Sequence, residues 1–263
     1  MVTGMATFRR HFAGYEDAFV VIGGAACDEW FTRVGGRFRA TKDIDMVLVL
    51  DATQPRFFAH FWDFIKSGRY EVGQRSDGER TFFRFQKPAD PEYPKMIELL
   101  STAPMEIDPF PGQQIVPIPA GEDVSSLSAI LMDPVYYQFI MSQRELVDGL
   151  PLIKPAGLIV LKAKAWLDLT RRRAEGDKAV KDDDVNKHRT DVFRLTAILP
   201  VGETLAVPAP IAADLASFTV SFPLSSAEWP AIRQSLQTGG IGMAANDLIR
   251  TFRFFFTLPE ANV

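Results

Sequence analysis

The sequence of 263 residues contains a single cysteine, Cys27, and only three histidines. One cysteine excludes a disulfide within the chain, and it cannot build a thiolate metal site alone. The three histidines, His11, His60 and His188, are scattered and do not match the spacing of a zinc site. The sequence therefore gives no sign of a structural disulfide or of a zinc centre.

Long apolar runs are also missing. No stretch of about 18 apolar residues occurs, so no membrane-spanning helix is predicted. The first residues, MVTGMATFRRHF, lack an apolar core followed by a small-residue cleavage site, which argues against a secretory signal. The net charge of −4 argues against broad nonspecific binding to nucleic acid, although it does not exclude a local basic groove. We predict a cytoplasmic protein that does not associate with membranes.

What the chain does contain is a pattern of strand, glycine turn, helix and strand over residues 19–50. Gly23 and Gly24 follow the first predicted strand, and Asp43 and Asp45 open the second. Side chains alternate along a strand, so the two aspartates share one face, about 6–7 Å apart. Such carboxylates repel each other unless a cation lies between them, and Mg²⁺ takes oxygen ligands while leaving room for phosphate oxygens. Backbone N–H groups of the glycine turn could bind the other end of a phosphate chain.

A third carboxylate, Glu98, lies inside the predicted strand 96–100, between two apolar residues. An acid at such a position is costly unless something pairs with it, although exposure on an edge strand is an equally simple explanation. If this strand neighbours the one that carries Asp43 and Asp45, the three carboxylates could hold two Mg²⁺ ions. The alternative for the two aspartates is a pair of solvated acids at a strand start.

The chain changes character near residue 150. Strands and helices are mixed before this point, and the spacing of apolar residues is helical after it. We predict an α/β domain over residues 1–150, built on a mixed β-sheet flanked by helices, and an all-helical domain over residues 151–263. Within the second, Ser225-x-x-Glu228 is the signature of a capping box at a helix start.

The order of these motifs resembles the nucleotidyltransferase superfamily related to polymerase beta. Within it, the run TKDID at residues 41–45 is similar to the second motif of the AbiEii toxin group, which includes the MenT-type enzymes. The resemblance implies a nucleotidyltransferase-type sheet, with Asp43, Asp45 and Glu98 as catalytic metal ligands for Mg²⁺.

The resemblance also assigns roles to the residues around these acids. Gly23 and Gly24 would approach the phosphates of the nucleotide through their backbone, with Thr41 and Lys42 shaping the rim of the site. Gly24 stands where the superfamily usually has a serine, so a hydroxyl contact to phosphate is missing. The gap between Gly24 and the first aspartate is also longer than in compact members of the superfamily.

Two later segments are similar to downstream motifs of the same group. Lys162 matches a helical lysine that would hold the triphosphate, and Asp191, in a basic-then-acidic helix, would support that lysine or the acceptor. Lys164 is a second basic candidate, but it lies about 200° away around a helix, so only one of the two lysines can face a given site. We favour Lys162. The alternative is a solvated helix face for both lysines, and Asp191 is expected to face solvent or a cleft because it lies off the apolar stripe of its helix.

The function implied by the resemblance is transfer of a nucleoside monophosphate from a nucleoside triphosphate to an acceptor hydroxyl, with two Mg²⁺ ions. It further implies RNA, such as a tRNA, as acceptor, and a toxin role with a cognate antitoxin in a toxin–antitoxin or abortive-infection system. Two alternatives stay open: nucleotidyl transfer to a small molecule or a protein, and an inactive nucleotide-binding or antitoxin-like module.

Overall fold

The computed structural model describes residues 2–49, 55–75, 82–100, 115–118, 130–131 and 133–259. These residues form one mixed sheet of eight strands and nine helices. The strands are β1 (Phe19–Ile22), β2 (Asp43–Leu48), β3 (Glu71–Arg75), β4 (Phe82–Gln86), β5 (Met96–Leu100), β6 (Ile115–Ile118), β7 (Arg144–Val147) and β8 (Leu150–Ile153). The helices are α1 (Met5–His11), α2 (Gly23–Arg33), α3 (Pro55–Gly68), α4 (Pro134–Ser142), α5 (Pro155–Ala174), α6 (Asp182–Thr196), α7 (Ala209–Val220), α8 (Trp229–Thr238) and α9 (Ala245–Phe255).

The strands are arranged in the order β6-β3-β4-β5-β2-β1-β8-β7. Strand β1 is antiparallel to β2 and parallel to β8, whereas β2 and β5 are parallel to each other. The two strands that carry the predicted acids are therefore direct neighbours in the middle of the sheet. An α/β architecture with a mixed sheet flanked by helices is confirmed.

An aromatic core holds α1 and α3 against one face of this sheet. Three phenylalanines of α3, at positions 57, 61 and 64, recur at helical spacing and are buried. Phe61 lies 5.2 Å from Phe85 of β4, and Phe8 of α1 lies 5.8 Å from Phe19 of β1, measured between ring centroids. Burial of each such ring contributes about 1.5–3 kcal/mol. Because side chains alternate along a strand, every second residue of β2 from Ile44 to Leu48 faces this core, and the two aspartates and Val47 lie on the opposite face.

The start of α4 follows its local sequence signal, and the start of α8 does not. The Asp133 carboxylate accepts a hydrogen bond of 2.8 Å from the backbone N–H of Val135, and a proline follows it at the first position of α4. The capping box predicted at Ser225-x-x-Glu228 is not formed, because α8 begins at Trp229 and Glu228 at its N-cap makes no side-chain capping bond. None of the described helices is long and apolar enough to cross a membrane.

The chain divides into two compact units that are discontinuous in sequence. The first contains residues 1–30, 39–122 and 144–153, and the second contains residues 31–38, 123–143 and 154–263. The predicted boundary between residues 150 and 151 falls inside β8 instead of between units. The reason is the hairpin of β7 and β8, which sequence reasoning missed: β8 pairs with β1 and so joins residues 144–153 to the first unit.

Candidate functional site

The three predicted metal ligands share one face of the sheet in the first unit. In the parallel register of β2 and β5, Asp45 lies opposite Glu98, and Asp43 lies opposite Met96. Paired residues of neighbouring strands point to the same side of a sheet. Asp45 is 8% exposed, so its carboxylate is held inside the protein and not in bulk water. Neither Glu98 nor the two aspartates lie on an edge strand, which removes the simplest alternative explanation for Glu98.

Glu98 has a partner that sequence reasoning did not identify. Arg84 of β4 donates a hydrogen bond of 2.9 Å from its Nε to Oε1 of Glu98, and the two side chains are only 16% and 13% exposed. The pair explains how an acid is tolerated between apolar neighbours on a central strand. Arg84 lies opposite Glu98 in the antiparallel register of β4 and β5. No local sequence pattern predicts this pairing.

This ion pair affects the predicted set of metal ligands. Among the residues that the structure describes, no group of three or more histidine, cysteine, aspartate or glutamate side chains is gathered closely enough to hold a metal ion. Asp43 and Asp45 on their own still fit Mg²⁺, because that ion is usually bound through one or two carboxylates together with substrate phosphates. Arg84 binds Oε1 of Glu98, so the arginine competes with a metal ion for this carboxylate.

The glycine turn and the TKDID segment are in direct contact. Gly23 has a φ of +66°, and a Cβ atom at this position would lie 1.7 Å from Oδ2 of Asp45. At Gly24 a Cβ atom would lie 2.5 Å from Oγ1 of Thr41. Both glycines are therefore required by close approach, since any side chain would displace the carboxylate or the hydroxyl.

Asp45, beside the first residue of α2, is placed to interact with the N-terminus of this helix. The first N–H groups of a helix carry no partner within the helix and attract anions, so the carboxylate there stabilises the start of α2. The same N–H groups would attract phosphate oxygens, with a metal ion between phosphate and carboxylate. Of the residues predicted to shape the rim, Thr41 lies against Gly24, and Lys42 is exposed.

In the second unit, Lys162 and Asp191 form a buried ion pair between α5 and α6. Lys162 Nζ lies 2.9 Å from Asp191 Oδ2, and the two side chains are 6% and 0% exposed. The expectation that Asp191 faces solvent or a cleft is wrong. Its place off the apolar stripe is explained by its cationic partners, which compensate the cost of burying a carboxylate.

Arg194 is the second of these partners, on the same helix as Asp191. Its Nη1 lies 3.3 Å from Asp191 Oδ1, and its Nη2 donates to the backbone oxygen and the hydroxyl of Ser235 at 3.1 and 2.9 Å. The guanidinium also lies over the ring of Phe38, 5.7 Å from its centroid. Asp191 thus binds two cations at once. Its spacing of three residues from Arg194 on one helix was the available signal.

Lys164 belongs to a different cluster. Its Nζ lies 3.0 Å from Asp214 and 3.7 Å from Asp168, and 5.8 Å from the centroid of the Tyr136 ring. Tyr136 donates a hydrogen bond of 2.5 Å to the same Asp214 carboxylate. Burial, together with this hydrogen bond, raises the pKa of the Tyr136 hydroxyl above its usual value. The two lysines therefore lie in separate clusters, as their helical spacing predicts, and Lys162 is the one that contacts Asp191.

Comparison of the chain with protein-family models, with curated proteins and with solved structures gave no match.

Proposed function

We propose that this protein is a metal-dependent nucleotidyltransferase, which moves a nucleoside monophosphate from a nucleoside triphosphate to an acceptor hydroxyl. The observation that carries the proposal is the contact between Gly23 and Asp45. It brings the glycine turn at the start of α2 against an acidic strand whose second aspartate, Asp43, lies on the same face. A helix N-terminus beside paired carboxylates is suited to a metal ion and a phosphate chain together.

In this proposal, Asp43 and Asp45 hold Mg²⁺, which when bound neutralises charge on the triphosphate and the leaving pyrophosphate. The backbone N–H groups of Gly23 and Gly24 bind phosphate oxygens without interference from a side chain. Glu98, once it is released from Arg84, accepts the proton of the acceptor hydroxyl. The short gap between the Glu98 and Asp45 positions across two hydrogen-bonded strands supports a shared role.

Lys162 is proposed to hold the triphosphate, and Asp191 acts as a positioning residue for it. An ammonium group fixed by a buried carboxylate loses little further freedom when it binds a phosphate. Arg194 adds a second cation to the same carboxylate, so the three side chains carry a net positive charge in formal terms. A purely structural buried ion pair is the competing explanation for this cluster.

The acceptor and the biological role rest on the resemblance described above. We propose RNA, such as a tRNA, as the acceptor, and a toxin whose cognate antitoxin restrains it. The Glu98–Arg84 ion pair specifically favours a second candidate, an inactive nucleotide-binding module. Such a module would need Gly23, Asp43 and Asp45 but no free general base.

The two candidates differ in one experiment. The full chain is incubated with each labelled nucleoside triphosphate, Mg²⁺ and total bacterial RNA, beside Asp43→Ala and the control Asp17→Asn, an exposed acid of the same unit. Transfer of label to RNA by the unaltered protein and by Asp17→Asn, but not by Asp43→Ala, supports the enzyme. Mg²⁺-dependent binding of a triphosphate without transfer to RNA, protein or small molecules supports the inactive module. Equal transfer by Asp43→Ala contradicts the proposed mechanism.

A further inference from the structure

Helices α7 and α9, with the residues that follow each of them, border an open cavity of about 810 Å³ in the second unit. This volume lies in the range of sites for small molecules. The wall is mainly apolar and includes Val220, Phe222, Pro223, Leu224, Ile249 and Phe254. Three of these side chains remain open to solvent, since Val220, Leu224 and Phe254 are 63%, 54% and 55% exposed. Exposed apolar residues that cluster in a groove indicate a binding site.

Among the described residues, Arg253 of this groove has a neutral hydrogen-bond partner and no anionic one. Arg253 donates a hydrogen bond of 2.9 Å from Nη1 to the hydroxyl oxygen of Thr219, whose own proton is donated to the backbone oxygen of Ala216. Within the described part of the chain, no carboxylate lies at ion-pair distance from Arg253. By contrast, Arg250, one turn earlier on α9, pairs with Asp247 at 2.9 Å. The buried hydroxyl of Thr219 therefore orients the Arg253 guanidinium without neutralising it.

The side chain of Arg253 is not needed to satisfy the backbone carbonyls at the carboxyl end of α9. The backbone oxygen of Arg253 accepts from the N–H of Leu258 at 2.9 Å, and that of Phe255 accepts from the N–H of Leu205 at 2.6 Å. Carbonyls at a helix end are normally satisfied by such bonds. Since a guanidinium carries five N–H donors in a planar fork, the donors beyond the bond to Thr219 suit a carboxylate, which can accept two of them side by side.

We propose that the groove binds an amphipathic carboxylate, that is, a molecule with an alkyl or aromatic body and one carboxylate. Arg253 receives the carboxylate, and Phe254, Leu224 and Val220 cover the apolar body. The apolar wall suits the body of such a ligand, and the guanidinium that Thr219 orients suits its carboxylate. This site shares no residue with the proposed nucleotidyltransferase site, so each can fail without the other.

Three probes with the same eight-carbon chain test the proposal: octanoate, octan-1-ol and octylammonium. Their binding to the full chain is measured by isothermal titration calorimetry. Octanoate is expected to bind about tenfold more tightly than octan-1-ol, because only the carboxylate gains charge-assisted bonds. Octylammonium is expected to bind most weakly, because it places a second cation beside Arg253.

Variants locate the binding. Arg253→Gln should reduce octanoate binding to that of octan-1-ol, and Arg253→Lys should restore part of the preference. Phe254→Ser removes a half-exposed ring and should weaken octanoate and octan-1-ol alike, by roughly tenfold. Arg171→Gln and Val201→Ser are matched controls outside the groove, at side chains that are 63% and 101% exposed, and they should leave binding unchanged.

Several results would overturn the proposal. Equal affinity for all three probes would show that Arg253 does not bind the carboxylate. A preference for octanoate that is unchanged in Arg253→Gln would show the same. Octanoate binding of unchanged affinity in Phe254→Ser places the site elsewhere. A different result would be that octanoate does not bind but a helical peptide of alternating leucine and glutamate blocks binds. The groove would then be a binding site for a protein partner. Self-association that Phe254→Ser abolishes, again without octanoate binding, assigns it to a second copy of the chain.

Discussion

Replacement of Gly23 by alanine tests the contact on which the proposed site depends. The added Cβ atom would lie 1.7 Å from Oδ2 of Asp45, in a residue whose φ is +66°. Gly14 offers a matched control in the same unit. Its φ is +88°, and a Cβ atom there would meet nothing within 4 Å. Both substitutions carry the cost of a left-handed backbone, and only Gly23→Ala adds a collision with a carboxylate.

The two costs can be separated by magnitude. A residue with a Cβ atom in the left-handed region costs about 1–2 kcal/mol, which is the full expected loss for Gly14→Ala. Non-bonded heavy atoms normally stay about 3.5 Å apart, so in Gly23→Ala the carboxylate or the start of α2 must shift by on the order of 2 Å. Overpacking of this kind costs about 1–3 kcal/mol more. We expect Gly23→Ala to lose about 2–5 kcal/mol of unfolding free energy in total.

Urea denaturation of both variants gives the loss of stability, and titration with a Mg²⁺–triphosphate complex gives the effect on the site. Gly23→Ala should be the less stable of the two and should lose triphosphate binding, whereas Gly14→Ala should bind as the unaltered protein does. Equal destabilisation would show that the Asp45 carboxylate does not lie against Gly23. Unchanged triphosphate binding by a folded Gly23→Ala variant would refute the role given to the glycine turn.

Three further predictions follow from the described contacts. Asp191→Ala leaves Lys162 buried without a carboxylate and should cost about 3–5 kcal/mol in urea denaturation, and a loss below about 1 kcal/mol would contradict the buried pair. Arg84→Met releases the Glu98 carboxylate and should tighten Mg²⁺ binding measured by calorimetry, whereas Glu98→Gln should not. Equal Mg²⁺ affinities of the two variants would show that Glu98 is not a metal ligand. Burial lowers the pKa of His11 below its usual 6.5. Just below that pH the unfolded state therefore binds more protons than the folded state. The free energy of unfolding should then fall as the pH is lowered from 7 towards 5. The drop in urea midpoint should be smaller in His11→Gln, and an equal drop would assign the pH dependence to other groups.

The sequence by itself determined the local elements that hold the candidate site. Alternation along residues 43–48 placed both aspartates on one face, because side-chain direction in a strand depends only on the chain itself. The glycine pair between strand and helix and the acid in the strand Met96–Leu100 were likewise visible in the residue order. The start of α4 is equally local, since an aspartate cap followed by proline acts within one turn of the chain.

Only the tertiary structure decided which of these elements meet. Strand β8 is short and lacks alternation, and its position beside β1 depends on a pairing across more than a hundred residues. The ion pair of Arg84 with Glu98 comes from the register of β4 against β5, and the burial of Asp191 comes from the packing of α6 on α5. Such contacts are set by which apolar surfaces pack together and by the cost of leaving a buried charge unpaired, and both depend on residues far apart in the sequence.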